Sequence, residues 1–456
     1  MPGLAGNSHA IMTVDAPDHA ILEPASSDAK RLKMLFTFEN PLPSKEADAE
    51  VFMTTASYLA SRIFKAWLHV PQAHDTNSDD ASASSGLKLL RARAPLRPAA
   101  LRHFCCGVTL VFKKEFRDAD VIYTRNLWIA WMATLFGQRV VFDHYRPWSD
   151  QIPPLQHWIY RLMCRKSFLV NICHSNYTRQ KYLALGIPPE KVVCVRNGFE
   201  PQRLQSPVPV DAAKRAIGLS DTRKTVVYTG RLNHRKGLSL VIEAAKELPD
   251  ILFILVGSYG NGPIEALAAG IENILVIPWQ PADVIGQYVF AADVLLIPPS
   301  WKPLAQFGST VLPLKLFFYM ASGRPICAGN TPDVSEVLHH DRNAFLCVPD
   351  KLDSLIDGIR TLTSDAGLAD RISTTALADS AEFTWDKRSG RIADIIMHRL
   401  KVTSPEPGRW SAAHTRVWRR QSWRWLINLL RTRSLVLPPY FGPDAVSDVK
   451  ATMPTA

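Results

Sequence analysis

The sequence lacks the features of secreted, zinc-binding and membrane-spanning chains. Its seven cysteines are odd in number and form no Cys-x-x-Cys pair, which argues against a disulfide framework or a zinc site and favours a reducing cytosol. No run of about 18 apolar residues occurs, so no membrane-spanning helix is expected. Residues 1–30 hold no apolar core of the signal-peptide type and are expected to form a disordered lead-in. We therefore expect a cytoplasmic location.

What is present is an ordinary globular composition with a basic tail. The 47% hydrophobic and 21% charged residues exclude a wholly disordered or collagenous chain. At roughly 100–200 residues per domain, a chain of 456 residues holds two or three domains. The net charge is +11, and residues 401–434, with eight basic residues and one acid, contribute +7 of it. The excess of positive charge therefore indicates an anionic partner for the tail.

Short apolar runs alternate with helix-like segments in two successive series. The predicted strands are 33–38, 120–124, 139–143, 168–173 and 191–196, followed by 224–229, 251–256, 273–278, 293–298, 325–328 and 344–348. Such runs are typical of parallel strands covered on both faces. We predict two doubly wound, Rossmann-like α/β domains, at 31–204 and 205–400, with the ligand site in the cleft between them. Residues 49–67 are predicted as a helix, 70–86 as a mobile loop and 401–456 as a separate tail.

The sharpest local motif is TGRLNHRKG at residues 229–237, between a predicted strand and a predicted helix. Gly230 lets the backbone turn tightly and approach a ligand. Arg231 and Lys236 bring two cations to the carboxyl end of the strand, where charge-assisted hydrogen bonds to a diphosphate are strong. Taken alone, the motif is equally consistent with a solvated basic turn.

Taken together with the segments around it, this motif resembles the Gly-Arg-Leu…Lys-Gly element of glycosyltransferase family 4, a family of retaining enzymes with the GT-B fold. Other segments are similar to the family's pattern in the same order: 191–199 (KVVCVRNGF), 292–300 (ADVLLIPPS), 313–325 (PLKLFFYMASGRP), 335–338 (SEVL), 343–346 (NAFL) and 383–385 (FTW). In the first half, 120–125, 140–144 and Ser175 match more loosely. The resemblance covers about residues 33–400.

The resemblance implies transfer of a sugar, with retention, from a nucleotide-activated donor bound to the second domain to an acceptor bound to the first. Arg231 and Lys236 would stabilise the leaving diphosphate as candidate catalytic residues. His144 stands where family members place a histidine beside the donor sugar, although a lone histidine at a strand end is more often structural or merely exposed. Asn330 and Thr331 lie in a turn expected to start a helix and to offer backbone N–H groups to an anion. No metal or other cofactor is expected, because fixed cations are present.

Two departures from the family pattern concern the donor and acceptor sites. The family's paired glutamates, which contact the donor sugar and the ribose hydroxyls, correspond here to Thr310 and Phe318. Since Phe318 accepts no hydrogen bond, ribose recognition must come from elsewhere or be lost. Lys315 is a candidate replacement contact or, alternatively, a solvated surface lysine. The loop ENPLPSKEADAE after the first strand lacks the family's glycine pair, and its Lys45 and Glu46 are candidate acceptor contacts.

The tail holds a basic and aromatic segment, TRVWRRQSWRWLINLLRTR, at residues 415–433. On a helix, its tryptophans and leucines are predicted to cover one broad side and most of its arginines the other. Such a helix can lie in a bilayer interface, and we interpret it as contact with an anionic membrane surface. The alternatives are a helix docked on the chain's own first domain, attraction to nucleic acid, and a disordered arm. No nucleic-acid partner is expected, because no base-stacking or groove-reading element occurs outside the tail.

These patterns predict a glycosyltransferase with a lipid-linked or glycan acceptor, in glycolipid or polysaccharide assembly at the cytoplasmic face of a membrane. The alternative is a non-catalytic homologue that kept the fold after losing the paired glutamates and serves as a binding or partner subunit.

Overall fold

The computed structural model describes residues 32–42, 47–62, 64–71, 87–92, 95, 99–144, 152–204, 208–219, 222–301, 312–402 and 412–432. The predicted lead-in 1–30, the loop residues 72–86, Lys45, Glu46 and Thr310 lie outside these ranges.

The first half of the chain forms a seven-stranded parallel sheet in the order β3-β2-β1-β4-β5-β6-β7. Its strands are β1 Leu32–Thr37, β2 Phe64–Pro71, β3 Leu87–Ala92, β4 Val121–Thr124, β5 Val140–Asp143, β6 Phe168–Cys173 and β7 Val192–Cys194. Its helices are α1 Ala47–Arg62, α2 Ala99–Val111, α3 Lys114–Asp118, α4 Leu127–Leu135, α5 Gln156–Met163 and α6 Asn176–Leu183. Separate buried clusters cover the two faces of the sheet.

The second half forms a six-stranded parallel sheet in the order β10-β9-β8-β11-β12-β13. Its strands are β8 Lys224–Thr229, β9 Ile251–Ser258, β10 Ile274–Pro278, β11 Val294–Ile297, β12 Ile326–Gly329 and β13 Phe345–Cys347. Its helices are α7 Val210–Ala216, α8 Leu238–Glu247, α9 Pro263–Ala268, α10 Ala282–Phe290, α11 Leu314–Ala321, α12 Leu352–Ser364 and α13 Ala366–Ser380. The prediction of two parallel sheets covered on both faces is confirmed.

The chain passes between the two halves twice, and the two passages bind each other. The amide of Phe199 donates to the carbonyl of Phe383 at 2.8 Å, and the amide of Trp385 donates to the carbonyl of Phe199 at 3.2 Å. A Cβ on Gly198 would lie 2.6 Å from the Phe383 carbonyl oxygen, so only glycine fits this close approach. After the second passage, helix α14 Trp385–Lys401 buries Ile392 and Ile396 in the core of the first half.

One predicted element was wrong in its extent. The predicted helix 49–67 ends at Arg62 as α1, and β2 begins at Phe64. Val70 and Pro71, predicted as the start of a loop, complete β2. The apolar residues of α1 run directly into those of β2, so hydrophobicity alone does not separate a helix from the strand that follows it.

Candidate functional site

The turn after β8 requires glycine at two positions. Gly230 has a φ of +129°, and a Cβ there would lie 2.9 Å from Lys315 Nζ. Gly237 has a φ of +72°, and a Cβ there would lie 2.6 Å from Ser300 Cβ. These left-handed conformations and close approaches exclude larger side chains. Gly230 therefore leaves room for the Lys315 side chain.

Two lysines influence each other beside this turn. Lys315 on α11 is half-buried, and its Nζ lies 3.5 Å from the centroid of the Tyr228 ring, a cation–π contact. Burial, followed by the charge of Lys236, holds the pKa of Lys315 well below its usual range. Lys236 is exposed, but the atoms around its ammonium partly desolvate it and lower its pKa. An anion between these lysines would be stabilised by both, and it would raise both pKa values again.

Arg231 lies on the outer side of the same turn. Its side chain is exposed, and its Cζ lies 5.3 Å from the centroid of the Tyr259 ring. The carbonyl of Arg231 accepts a hydrogen bond from Tyr228 Oη at 3.2 Å. The aromatic contact supports the guanidinium without closing it off from a ligand in solution.

A cavity of about 180 Å³ lies where residues of both halves meet. Its lining residues are Glu50, Gly198, Phe199, Glu200, Thr229, Ile285, Leu314, Lys315, Phe318 and Trp385. Among the predicted site residues, the structure brings Lys315 and Phe318 together at this cavity, next to Gly230. Within the described part of the chain, neither Arg231 nor His144 belongs to the lining.

Two carboxylates in the cavity wall had no signal in the sequence. Glu50 comes from α1 and Glu200 from the first passage between the halves. Tyr58 Oη donates to Glu200 Oε1 at 2.7 Å. Burial and the neighbouring Glu200 raise the pKa of Tyr58 to about 12, so Tyr58 remains a neutral donor at pH 7. This bond fixes the position of the Glu200 carboxylate.

The turn after β12 differs from the prediction. The amide of Asn330 donates to the Cys347 carbonyl at 2.9 Å, and that of Thr331 donates to the Gly329 carbonyl at 2.9 Å. The element that follows is a single 3-10 turn, Val334–Glu336. The prediction that these two N–H groups are offered to an anion at a helix start was therefore wrong, because both are used within the fold. The Thr331 hydroxyl donates to Asp333 Oδ1 at 2.8 Å.

His144 lies at the carboxyl end of β5. It is buried, with 6% of its surface exposed, and its ring stacks on Phe142 with the centroids 5.5 Å apart. Its placement beside a donor sugar stays a prediction.

The neighbouring Asp143 points into a buried ionic cluster. It accepts hydrogen bonds from Tyr123 Oη at 2.5 Å and from Arg388 of α14 at 3.2 Å, and it lies 2.6 Å from His174 Nε2. Burial alone would raise the pKa of Asp143, but His174, Arg388 and Arg125 hold it well below its usual range. Burial lowers the pKa of His174 to about 4, against the opposing effect of Asp143. The cluster joins the returning helix to the carboxyl edge of the first sheet.

The tail forms helix α15, Ala412–Thr432, which docks on the first half. Trp418 Nε1 donates to the Pro154 carbonyl at 3.4 Å, and the Trp418 ring lies 6.2 Å from that of His157. The alternative of docking on the first domain is therefore confirmed for this side of the helix. Val417, Trp423, Leu426, Ile427 and Leu430 of the same helix are exposed, and the grouping of the tryptophans and leucines on one broad side stays a prediction.

Within the described ranges, no helix combines the length and the apolarity needed to cross a membrane. The same residues contain no group of three His, Cys, Asp or Glu side chains arranged to hold a metal ion.

Two family models match successive parts of the chain. Residues 49–203 match Glycosyltransferase Family 4, and residues 210–378 match Glycosyl transferases group 1. Curated relatives include the alpha-galactosylglucosyldiacylglycerol synthase of Streptococcus pneumoniae, 39% identical over 181 residues, which covers 36% of this chain and 47% of that protein. The chain spans about half the length of the curated relatives it matches.

Solved structures share the whole two-domain architecture. Sucrose-phosphate synthase from Thermosynechococcus elongatus superimposes with a TM-score of 0.67 at 15% identity, over 81% of this chain and 99% of that one. Anabaena HepE in complex with UDP-glucose superimposes with a TM-score of 0.61 at 18% identity, over 81% and 100%. The chain therefore has the GT-B fold and belongs to the group 1, family 4 glycosyltransferases.

Proposed function

We propose that this protein transfers a sugar, with retention, from a nucleoside diphosphate donor in the interdomain cavity to an acceptor hydroxyl. The observation that carries this proposal is the position of Lys315, which lines a cavity shared by both halves. Its ammonium lies against the Gly230 turn and within electrostatic reach of Lys236. A relative whose structure contains UDP-glucose shares this fold, which supports a nucleotide-sugar donor.

The chemistry follows from the charge of the leaving group. As the bond from the sugar to the β-phosphate oxygen breaks, negative charge grows on the diphosphate. Ammonium and guanidinium groups that are already in position stabilise that charge without reorganising. Arg231, Lys236 and Lys315 are assigned this role, and His144 is assigned a contact with the donor sugar. The acceptor oxygen bonds to the anomeric carbon on the face that the diphosphate leaves, and its proton passes to the departing β-phosphate oxygen.

Isothermal titration with UDP, GDP and ADP sugars tests the donor assignment. Arg231→Ala is expected to weaken binding roughly 10- to 150-fold, because a charge-assisted hydrogen bond contributes about 1.5–3 kcal/mol. Arg215→Ala, on the exposed side of α7, is the matched control and should bind like the wild type. Failure of the wild type to bind any donor would instead support the non-catalytic homologue, for which the apolar Phe318 in the cavity wall is the motivating observation.

We further propose a lipid-linked or glycan acceptor at an anionic membrane, reached through residues 415–433. The outward side of α15 combines exposed Trp423 and Leu430 with exposed arginines. Trp158 on α5, next in sequence to the His157 that Trp418 contacts, is 57% exposed. Aromatic rings at headgroup depth, with arginines against anionic lipid, are typical of interfacial helices. The glycolipid synthase among the relatives also supports a lipid acceptor.

Flotation with vesicles of phosphatidylglycerol and phosphatidylcholine tests the membrane assignment. The double variant Trp423→Ser/Leu430→Ser should float less than the wild type. A control with Leu267→Ser/Leu377→Ser removes two exposed apolar side chains from the second half and should float like the wild type. Equal flotation of both double variants would show that α15 does not bind the bilayer.

A further inference from the structure

The interdomain cavity combines groups that suit two parts of one ligand. Lys315, next to Gly230 and within electrostatic reach of Lys236, supplies positive charge. Glu50 and Glu200 supply carboxylate oxygens to the same cavity. Carboxylates accept hydrogen bonds from hydroxyl groups, whereas an ammonium group binds phosphate. A ligand with a phosphate at one end and a hydroxylated ring at the other fits this division.

Glu200 is positioned and retains acceptor capacity. Its Oε1 accepts the hydrogen bond from Tyr58 Oη at 2.7 Å. A carboxylate offers about four lone-pair sites, so this bond leaves Glu200 able to accept from a ligand. Tyr58 and Glu50 both belong to α1, which places the support for Glu200 and the second carboxylate on one helix.

Apart from Thr229, the rest of the wall is apolar or aromatic. Phe199, Phe318 and Trp385 line the cavity, and Phe318 accepts no hydrogen bond. Glu50 and Glu200 provide carboxylate oxygens for a ring hydroxyl. Thr229 also lines the cavity, and its hydroxyl lies 3.1 Å from Tyr319 Oη within the fold. The rings instead provide apolar surface against which the carbon faces of a sugar ring pack.

We propose that Glu50 and Glu200 bind the ribose hydroxyls of the donor nucleotide, a contact that Phe318 cannot make from α11. The ribose connects the diphosphate, held by the lysines, to the base. Recognition of the ribose therefore comes from the first half and from the passage between the halves. This inference rests on the proposed function and identifies which residues select the ribose part of the donor.

Binding of UDP, GDP and ADP, each compared with its 2′-deoxy and 3′-deoxy form, tests the assignment. For the base that binds, the wild type should lose on the order of tenfold in affinity when a contacted hydroxyl is removed, because a carboxylate is left without its partner. In Glu200→Ala and in Glu50→Gln, the affinity for the ribonucleotide should fall towards the affinity for its deoxy form. The ratio of the two affinities should therefore be smaller than in the wild type.

Two controls separate the ligand contact from structural effects. Tyr58→Phe removes the hydrogen bond to Glu200 but keeps the carboxylate. It should retain most of the deoxy penalty, the loss of affinity that follows removal of a ribose hydroxyl. Glu247→Ala changes an exposed acid at the end of α8 and should leave the penalty unchanged. Circular dichroism of each variant establishes that it is folded.

The outcomes distinguish this inference from the function on which it rests. A penalty present in the wild type and reduced in both glutamate variants supports the assignment. Binding that is sensitive to Arg231→Ala, with a penalty that is absent or unaffected by the glutamate variants, overturns the ribose assignment and leaves the donor site standing. No binding of any nucleoside diphosphate overturns both.

Discussion

The buried cluster around Asp143 makes the junction between helix α14 and the first sheet sensitive to a single substitution. Arg388 is 2% exposed and donates to Thr55 Oγ1 at 2.7 Å and to Asp143 Oδ2 at 3.2 Å. Arg388→Met keeps much of the side-chain volume but removes the charge and both bonds. Breaking a buried pair from one side costs about 3–5 kcal/mol. Here the Asp143 carboxylate would lose its Arg388 partner and keep His174 and Arg125.

Thermal unfolding followed by tryptophan fluorescence measures this loss. At roughly 2–4 °C per kcal/mol for a domain of this size, the Tm should fall by roughly 6–20 °C. Asp143→Asn should also destabilise the protein, and the double variant should lose less than the sum of the two single losses, since both changes act on one interaction. A fall of less than about 2 °C for Arg388→Met, or strictly additive losses, would refute the reasoning.

Acid and backbone changes give two further tests. Because the pKa of His174 is lowered to about 4 from 6.5, its stabilisation is complete above pH 6.5 and is lost as the pH falls towards 4. Lowering the pH from 7 to 5 should therefore reduce the free energy of unfolding by about 2 kcal/mol through His174. Over this range Tm should fall less in His174→Gln than in the wild type or in the exposed control His234→Gln. Equal dependence of Tm on pH in all three would contradict this. Gly237→Ala should lower Tm more than Gly218→Ala, which shares a φ of +72° but has open space around it; equal losses would exclude the Ser300 clash.

Local sequence patterns predicted most of the fold because its strands are apolar on both faces. The strands Phe168–Cys173 and Lys224–Thr229 begin and end where predicted, since each run is bounded by polar residues or a glycine. Strand β3 was missed because LKLLRA contains two basic residues in six. A charged edge strand does not show the continuous apolar pattern of a buried one.

The groups that the sequence did not indicate are those that folding alone brings together. Arg388 and Asp143 are 245 residues apart in the chain, and Glu50 and Glu200 meet only where α1 reaches the passage between the halves. No spacing rule relates such pairs. The Asn330 and Thr331 amides were assigned to an anion because a turn before a helix offers donors, but neighbouring carbonyls already accept from them.

Release of nucleoside diphosphate from a panel of UDP, GDP and ADP sugars, with and without glycolipid acceptors, tests the central claim most directly. The wild type should release the diphosphate from at least one donor. Lys236→Met should reduce the rate by roughly 100-fold, the size of effect seen when one group that stabilises developing charge is removed, while Lys246→Met, an exposed lysine of α8, should not. No release by the wild type from any donor, or equal rates for wild type and Lys236→Met, would contradict the account.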